Sequence, residues 1–342
     1  MKNLLKNPKQ TFVIAEIGVN HNNDISIAKK LIERAKFAGA DAVKFQTFKA
    51  KNLVLPGTRK VKYQLKSSSD KEDHYQMIKN LELNYEDHKI LYNLCKKKKI
   101  LFLSTPYDVE SAKFLNNLGV KMFKTASADL IDYNLHNYLA KLRKPVIIST
   151  GMSTLVDIKK TLDIYKKSGN SKITLLHCVS NYPCSPKSIN LNVLYTLKKF
   201  GFSVGYSDHS NDILIPSLAV SAGSKIIEKH FTLNKNLKGP DHKASLNVVE
   251  FKKMVKQIRK TEIVMGENIK KIQPEELEMS KISKKSLYFN KDKKKGSKIK
   301  IDDFVCLRPG LGINPFSMNK LIGKKLKNDV KKNQIVKYNF FI

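Results

Sequence analysis

Val204–Ser245 reads VGYSDHSNDILIPSLAVSAGSKIIEKHFTLNKNLKGPDHKAS, and three polar clusters punctuate it: GYSDHS (Gly205–Ser210), EKHFT (Glu228–Thr232) and GPDHKAS (Gly239–Ser245). Two short apolar runs, Phe202–Tyr206 and Lys225–Ile227, each end in a cluster that contains a histidine. Runs of this kind, bounded by turn residues and separated by an apolar helical pattern, read as consecutive strands of a βαβ unit. As parallel neighbours they bring His209 and His230 out on one edge of the sheet. Two imidazoles there, with Asp208, Glu228 and Asp241 close in sequence, are donors that suit a divalent metal. The competing reading is a pair of hydrogen-bonded histidines in strand-end loops.

The same beat runs through the rest of the chain. Phe12–Ile17 reads as a buried strand with Glu16 at its C-terminal end, a costly place for a carboxylate without a task or partner. Asp24 caps a helix whose apolar residues recur at i, i+3 and i+4, and Gly39 marks its stop. DAVKFQTF follows as a second strand, with Lys44 and Gln46 on one side because strand side chains alternate. A polar insertion, roughly 49–80, interrupts the pattern as a long loop. Helices at Tyr85–Lys98, Val109–Leu118, Asn134–Leu142, Leu155–Lys167 and Asn190–Phe200 then alternate with apolar runs. Runs near Val13, Val43, Phe102, Met122, Ile147, Leu175, Val204 and Ile226 give about eight strands alternating with helices. That alternation predicts an α/β fold, a closed (β/α)8 TIM barrel with catalytic groups at the C-terminal strand ends. A doubly wound open sheet is the alternative, but no GxGxxG turn accompanies it. The barrel domain is expected over 1–273, closed by a helix at Val249–Met265. A linker over 274–285 and a small C-terminal domain over 286–342 follow. That domain is expected to bury only a modest core and to lean on another surface.

Composition narrows the partners. With 64 Lys+Arg against 30 Asp+Glu the formal charge is +34, a field that attracts nucleic acid, anionic lipid or an anionic substrate. The excess is mostly lysine on predicted helix faces, and no zinc-finger spacing, aromatic RNA-binding signature or helix-turn-helix accompanies it, so no nucleic-acid partner is expected. The four cysteines show no CxxC spacing, which suits a reducing cytosol. MKNLLKNPKQ is short and polar for a signal sequence and no apolar run reaches spanning length, so a cytoplasmic protein without membrane attachment is expected.

The strand ends collect Glu16, Lys44, Gln46, Thr105, Lys124, Ser127, Asp129, Ser149, Ser180, Tyr182, Ser207, His209 and His230. Two inward lysines among hydroxyls make a cradle for a phosphate or phosphate–carboxylate substrate. A barrel lysine also suits Schiff-base chemistry, which needs no metal, whereas the histidine pair points to a Lewis acid. No GxSxG elbow and no Walker A motif is present.

In combination and order, AEIGVNHN (15–22), VKFQTF (43–48), STP (104–106), FKTAS (123–127), STGM (149–152), LLHC (175–178) with YP (182–183), GYSDH, EKHFT, GPDHKAS and LRPG (307–310) resemble the sialic acid (nonulosonate) synthases. These condense phosphoenolpyruvate with an N-acylated hexosamine, and the likeness covers nearly the whole chain, including a tail like the family's antifreeze-like (SAF) domain. The resemblance implies a divalent metal, Mn²⁺ or Mg²⁺, on His209 and His230. It implies that Lys44, Lys124, Thr105, Ser127, Ser149 and Ser207 hold phosphoenolpyruvate, with Ser180 nearby. Gln46, Tyr182 and Asp241 would contact the amino sugar, N-acetylmannosamine or a related one. Glu16 would orient or deprotonate a water at the metal. Arg308 would reach the N-acyl group from a partner subunit, which implies a domain-exchanged homodimer. Asp129 stands where many bacterial members carry Glu, and the shorter side chain puts its sugar contact in doubt. The insertion YQLKSSSDKEDHYQM (63–77) and GPDHKAS look closest to the legionaminate-type branch, which uses a 6-deoxy-diacetamido sugar.

Overall fold

In the computed structural model the described residues are 10–65 and 72–342. The reading of the first nine residues as too polar for a signal lies outside them, as does the middle of the insertion. Contacts divide the chain into two units, 1–266 and 267–342.

Among its described residues the first unit holds eight strands, β1 (Phe12–Gly18), β2 (Ala42–Thr47), β3 (Leu101–Pro106), β4 (Phe123–Thr125), β5 (Val146–Ser149), β6 (Ile173–His177), β7 (Ser203–Asp208) and β8 (Ile226–His230). They are hydrogen-bonded in the order β3-β2-β1-β8-β7-β6-β5-β4, every pair parallel. The two ends of that order, β3 and β4, lie against each other, so the sheet curls into a (β/α)8 barrel. The open-sheet alternative falls away.

Strand alternation sorts the apolar residues into two layers. Inward-facing Phe12, Ile14, Ala42, Leu103, Met122, Ile147, Leu176 and Ile226 plug the barrel interior. Outward-facing residues such as Val13, Ala15, Val43, Phe123, Ile148, Leu175, Val204 and Ile227 pack under the helices. Gly205 belongs to the inner set without filling it: a Cβ there would meet Leu176 Cδ2 at 2.5 Å and the Ile226 carbonyl at 2.6 Å. The plug is therefore completed by the neighbours' side chains.

Local signals set the helix starts. Asp24 accepts from the Ser26 and Ile27 amides, and Asn247 with Glu250 closes a capping box on Val248–Met265. The predicted helix at Asn190–Phe200 is shorter, Val193–Lys198, preceded by a turn of helix at Pro186–Ile189. The organising strands run further than their apolar stretches: β7 includes Ser207 and Asp208, and β8 includes His230.

Two expectations are corrected. The insertion after β2 is not a bare loop, for it carries helical turns at Ala50–Leu53, Lys62–Leu65 and His74–Asn80. Met77 and Leu81 pack with Val19 and Phe48 into a small apolar cluster of their own. The expected linker is also partly helical, over Leu277–Ser283, and the division between units falls before it. The second unit pairs β9 (Ser286–Phe289) with antiparallel β10 (Phe304–Leu307). It has a genuine core of its own, including Leu287, Phe289, Ile299, Leu326, Val336 and Phe341, which the polar sequence disguises. Among the described residues no helix is long and apolar enough to cross a membrane. The four cysteines are unpaired.

Candidate active site

Above the apolar plug, the next inward layer is charged. Strand register does the positioning, for Glu16 on β1 is level with Lys44 on β2 and with His230 on β8. Ser207 on β7 is level with Glu228 on β8, two residues before His230 and so on the same face.

Two lysine–glutamate pairs form the floor. Lys44 is ion-paired with Glu16 and donates to Thr105 Oγ1 at 3.0 Å, while Gln46 donates to the other Glu16 oxygen at 3.3 Å. Lys124 donates to Ser149 Oγ at 2.6 Å and to the Thr125 carbonyl at 3.1 Å, with its Nζ 3.4 Å from Glu228 Oε1. Ser207 donates to the same Glu228 oxygen at 2.9 Å, and Glu228 Oε2 is buried with no hydrogen-bond partner among the described residues.

All four charges are buried, so desolvation and mutual attraction compete. For Glu16 burial wins and raises its pKa, despite Lys44. For Glu228 burial is outweighed by Lys124 and Lys44, and its pKa falls. Lys44 is opposed by burial yet raised by Glu16 and Glu228, whereas burial holds Lys124 below the ordinary lysine range.

A hydroxyl arc continues the floor. Ser127 Oγ accepts from the Gly151 amide at 3.0 Å and lies 3.0 Å from Cys178 Sγ. A Cβ at position 151 would come within 2.5 Å of Ser180 Oγ and 2.9 Å of Ser127 Oγ, so a bare glycine lets these hydroxyls converge.

The histidines close the other side, with ring centroids 5.5 Å apart. His209 Nδ1 donates to the Val179 carbonyl at 2.7 Å, which leaves Nε2 with its free pair toward Tyr182 OH at 3.2 Å and Ser207 Oγ at 3.4 Å. Burial lowers the pKa of His209 to about 4 and that of His230 well below its ordinary value, so both rings are neutral near pH 7. His230 Nδ1 stands 3.6 Å from Asp241 Oδ2, whose carboxyl is raised to about 6 by burial. Asn20 holds that loop in place: its amide donates to the Phe231 carbonyl at 3.0 Å and to Ser245 Oγ at 2.8 Å. Ser245 in turn donates to the Asp241 carbonyl at 2.6 Å.

Neutral imidazoles beside an unpartnered carboxylate oxygen are a donor set that fits a divalent cation. Among the described residues no group of three or more His, Cys, Asp or Glu side chains is arranged to hold one. The two imidazoles would therefore be the protein's share, with water or substrate supplying the rest.

These groups face one cavity of about 470 Å³. Of the residues expected at the site, Glu16, Lys44, Gln46, Lys124, Ser127, Ser149, Ser180, Tyr182, Ser207, His209, His230 and Asp241 line it together. Thr105 on β3, level with Gln46, does not line the cavity but accepts from Lys44. Asp129 does not line it. It ends the short turn Ser127–Asp129, its carbonyl accepts from His136 at 3.1 Å, and its Oδ2 is buried without a hydrogen-bond partner among the described residues. Arg308 is exposed just after β10 in the second unit. Two contributions escaped sequence reasoning. In sequence Glu228 reads only as a neighbour of the histidines, although its parity with His230 marks it as inward. Leu53, Val54, Val61, Met77 and Ile78 from the insertion also line the cavity, and spacing carried no signal for them.

Buried charge of this density is no asset to a barrel core, and at the C-terminal strand ends it marks a (β/α)8 barrel enzyme. The chain belongs to the NeuB family, which residues 31–270 match, while residues 284–342 match the SAF domain. It is 44% identical to the N,N'-diacetyllegionaminic acid synthase of Campylobacter jejuni, over 96% of this chain and 99% of that protein. It is 31% identical to the human N-acetylneuraminate-9-phosphate synthase, over 95% of this chain and 91% of that one. Among solved structures, the N-acetylneuraminic acid synthetase of Leptospira borgpetersenii is similar with a TM-score of 0.71 at 35% identity, covering 79% of this chain and 90% of that one.

Proposed function

We propose that the chain is a nonulosonic acid synthase. It joins C3 of phosphoenolpyruvate to the aldehyde carbon of an open-chain N-acylated hexosamine, giving a nine-carbon 2-keto sugar acid and phosphate. The observation that carries this reading is the placement of two buried lysines and a hydroxyl arc around the same cavity as the imidazole pair. The relatives' names, sialic- and legionaminic-type synthases, agree with it.

Lys124, Ser127, Ser149 and Ser207 bind the phosphate and carboxylate through charge-assisted hydrogen bonds, and Lys44 adds the second cation. Mn²⁺ or Mg²⁺ held by His209 and His230 would supply Lewis acidity toward the aldehyde oxygen. Gln46, Tyr182 and Asp241 orient the sugar so that its aldehyde carbon faces C3. As the C–C bond forms, positive charge develops at C2, and water adds there. Glu16, its carboxyl raised by burial, takes the proton that this water loses. The tetrahedral C2 centre then collapses: the C2–O bond to phosphate breaks, the phosphate leaves with the electron pair, and the C2 hydroxyl gives up its proton as the keto group forms. Of the two protons from water, one goes to the alkoxide left by the aldehyde and the other to phosphate. Lys44 and Lys124 stabilise that developing charge in a site already oriented for it. Arg308 from a partner subunit would contact the N-acyl group in a domain-exchanged homodimer.

One observation favours a rival. Lys124, depressed by burial, suits a Schiff base with pyruvate. The test is mass spectrometry of products formed from phosphoenolpyruvate, Mn²⁺ and each candidate sugar, with borohydride trapping by pyruvate in parallel. A nine-carbon keto acid with equimolar phosphate is expected. A trapped pyruvate adduct on Lys124 without phosphate release overturns the reading.

A further inference from the structure

Behind the imidazoles, on the other face of the sheet, sits an ion pair that the proposed chemistry does not use. Asp208 on β7 and Lys229 on β8 are register partners, both are wholly buried, and neither lines the cavity. Alternation along β8 turns Lys229 away from the face that Glu228 and His230 share. A buried pair of this kind stabilises little over apolar side chains of the same size, because desolvating both charges offsets their attraction.

The ammonium holds more than its carboxylate. Lys229 Nζ donates to Asp208 Oδ2 and to the Ser210 carbonyl, both at 2.5 Å, and to the Asp212 carbonyl at 3.2 Å, with Ser210 Oγ 3.3 Å away. Asp208 Oδ1 accepts from the Ser210 amide at 2.9 Å and from Tyr206 OH at 3.2 Å. Ser210 Oγ donates to Asp208 Oδ2 at 3.1 Å and accepts from the Asp212 amide at 3.2 Å. The turn 208–212 is thus wrapped around one buried cation, and without it the buried Asp208 carboxylate and Ser210 carbonyl lose their shared donor.

His209 lies inside that turn, between two residues that Lys229 bonds. Its carbonyl accepts from the Cys184 amide at 2.9 Å, which ties the segment after β6 to the same turn. That segment carries Ser180, Tyr182 and Val179, whose carbonyl holds His209 Nδ1. The two imidazoles therefore differ in support. His230 belongs to β8 and is fixed by the strand ladder, whereas His209 stands one residue past the end of β7.

We propose that Lys229 is a positioning residue for His209: from the back of the sheet it clamps the turn 208–212 and so keeps His209 Nε2 and the Tyr182 hydroxyl aimed into the cavity. The proposal deepens the synthase reading above, in which His209 is one of the two groups that hold the metal.

Lys229→Met alone strands the Asp208 carboxylate, so it is paired with Lys229→Met plus Asp208→Asn, which removes both charges and keeps the bulk. The urea midpoint, Mn²⁺ Kd from the paramagnetic resonance of the free ion, and phosphoenolpyruvate Kd by calorimetry are measured for the wild type and both variants. The double variant is expected to unfold near the wild-type midpoint and to bind phosphoenolpyruvate unchanged. Its Mn²⁺ affinity should fall by about 10- to 100-fold, and kcat for phosphate release should fall with it. Wild-type Mn²⁺ affinity in the double variant overturns the proposal, for Lys229 then serves Asp208 alone. So does a double variant as unstable as the single one with both ligands weakened alike, which marks a general folding role. A wild type that binds no Mn²⁺ removes the metal assignment and this inference together. A wild type that binds both ligands yet forms no keto acid sinks the synthase reading and leaves the clamp standing.

Discussion

Lys124 is the residue whose removal best separates scaffolding from substrate binding. It neutralises Glu228 at 3.4 Å and donates to Ser149, all three side chains buried inside the barrel. Lys124→Met keeps the side-chain bulk but leaves the Glu228 carboxylate without its first cation. Breaking a buried pair from one side costs about 3–5 kcal/mol. The lower end applies here, because Lys44 also acts on Glu228. Adding Glu228→Gln removes the stranded charge, so the double variant should recover to within roughly 1 kcal/mol of wild type in urea unfolding. Phosphoenolpyruvate binding should not recover. A lost charge-assisted hydrogen bond is worth about 1.5–3 kcal/mol, or roughly 10- to 150-fold in Kd by titration calorimetry. A double variant that binds phosphoenolpyruvate like wild type would show that Lys124 is there for Glu228 alone, and the anion-cradle argument would fail.

Other perturbations test the remaining parts. Glu16→Gln should lower kcat by about 10²- to 10⁴-fold with KM for phosphoenolpyruvate little changed, and an unaltered kcat in a phosphate-release assay removes Glu16 from the chemistry. His209→Ala and His230→Ala should each weaken Mn²⁺ binding in calorimetry and nearly abolish turnover while the far-ultraviolet dichroism stays that of the wild type. Normal Mn²⁺ affinity in either contradicts the metal assignment. Asp129 is raised from 3.8 to about 7, first by burial and then by Asp132, so the folded state holds its proton more tightly than the unfolded chain does. Its stability contribution is complete below pH 4 and is lost as pH rises to about 7, a difference of about 4 kcal/mol at most. Asp129→Asn should thus match wild type in urea at pH 4 and exceed it at pH 8, and equal stabilities at both pH values refute this. Arg308→Ala and Glu16→Gln, each inactive, should regain partial activity after subunit exchange; exchanged dimers without activity exclude a cross-subunit Arg308.

Much of the architecture was legible because it rests on local, periodic signals. Alternating apolar runs and capped amphipathic helices specify eight βα units, and a strand's period of two already puts Lys44 with Gln46 on one face. The charged and imidazole residues were legible as a set because each ends a strand. Their pairing was not. That Glu16 lies level with both Lys44 and His230, and that Glu228 answers Lys124, depends on inter-strand register and on which strands are neighbours. Sequence reasoning placed Asp129 among the site residues, yet a turn and the bond from His136 take it off the cavity wall. It treated the segment after β2 as a polar loop, because its few apolar residues follow no helical or strand period. Only tertiary packing gathers Leu53, Val54, Met77 and Ile78 on one surface, since burial there is created by the barrel mouth they cover.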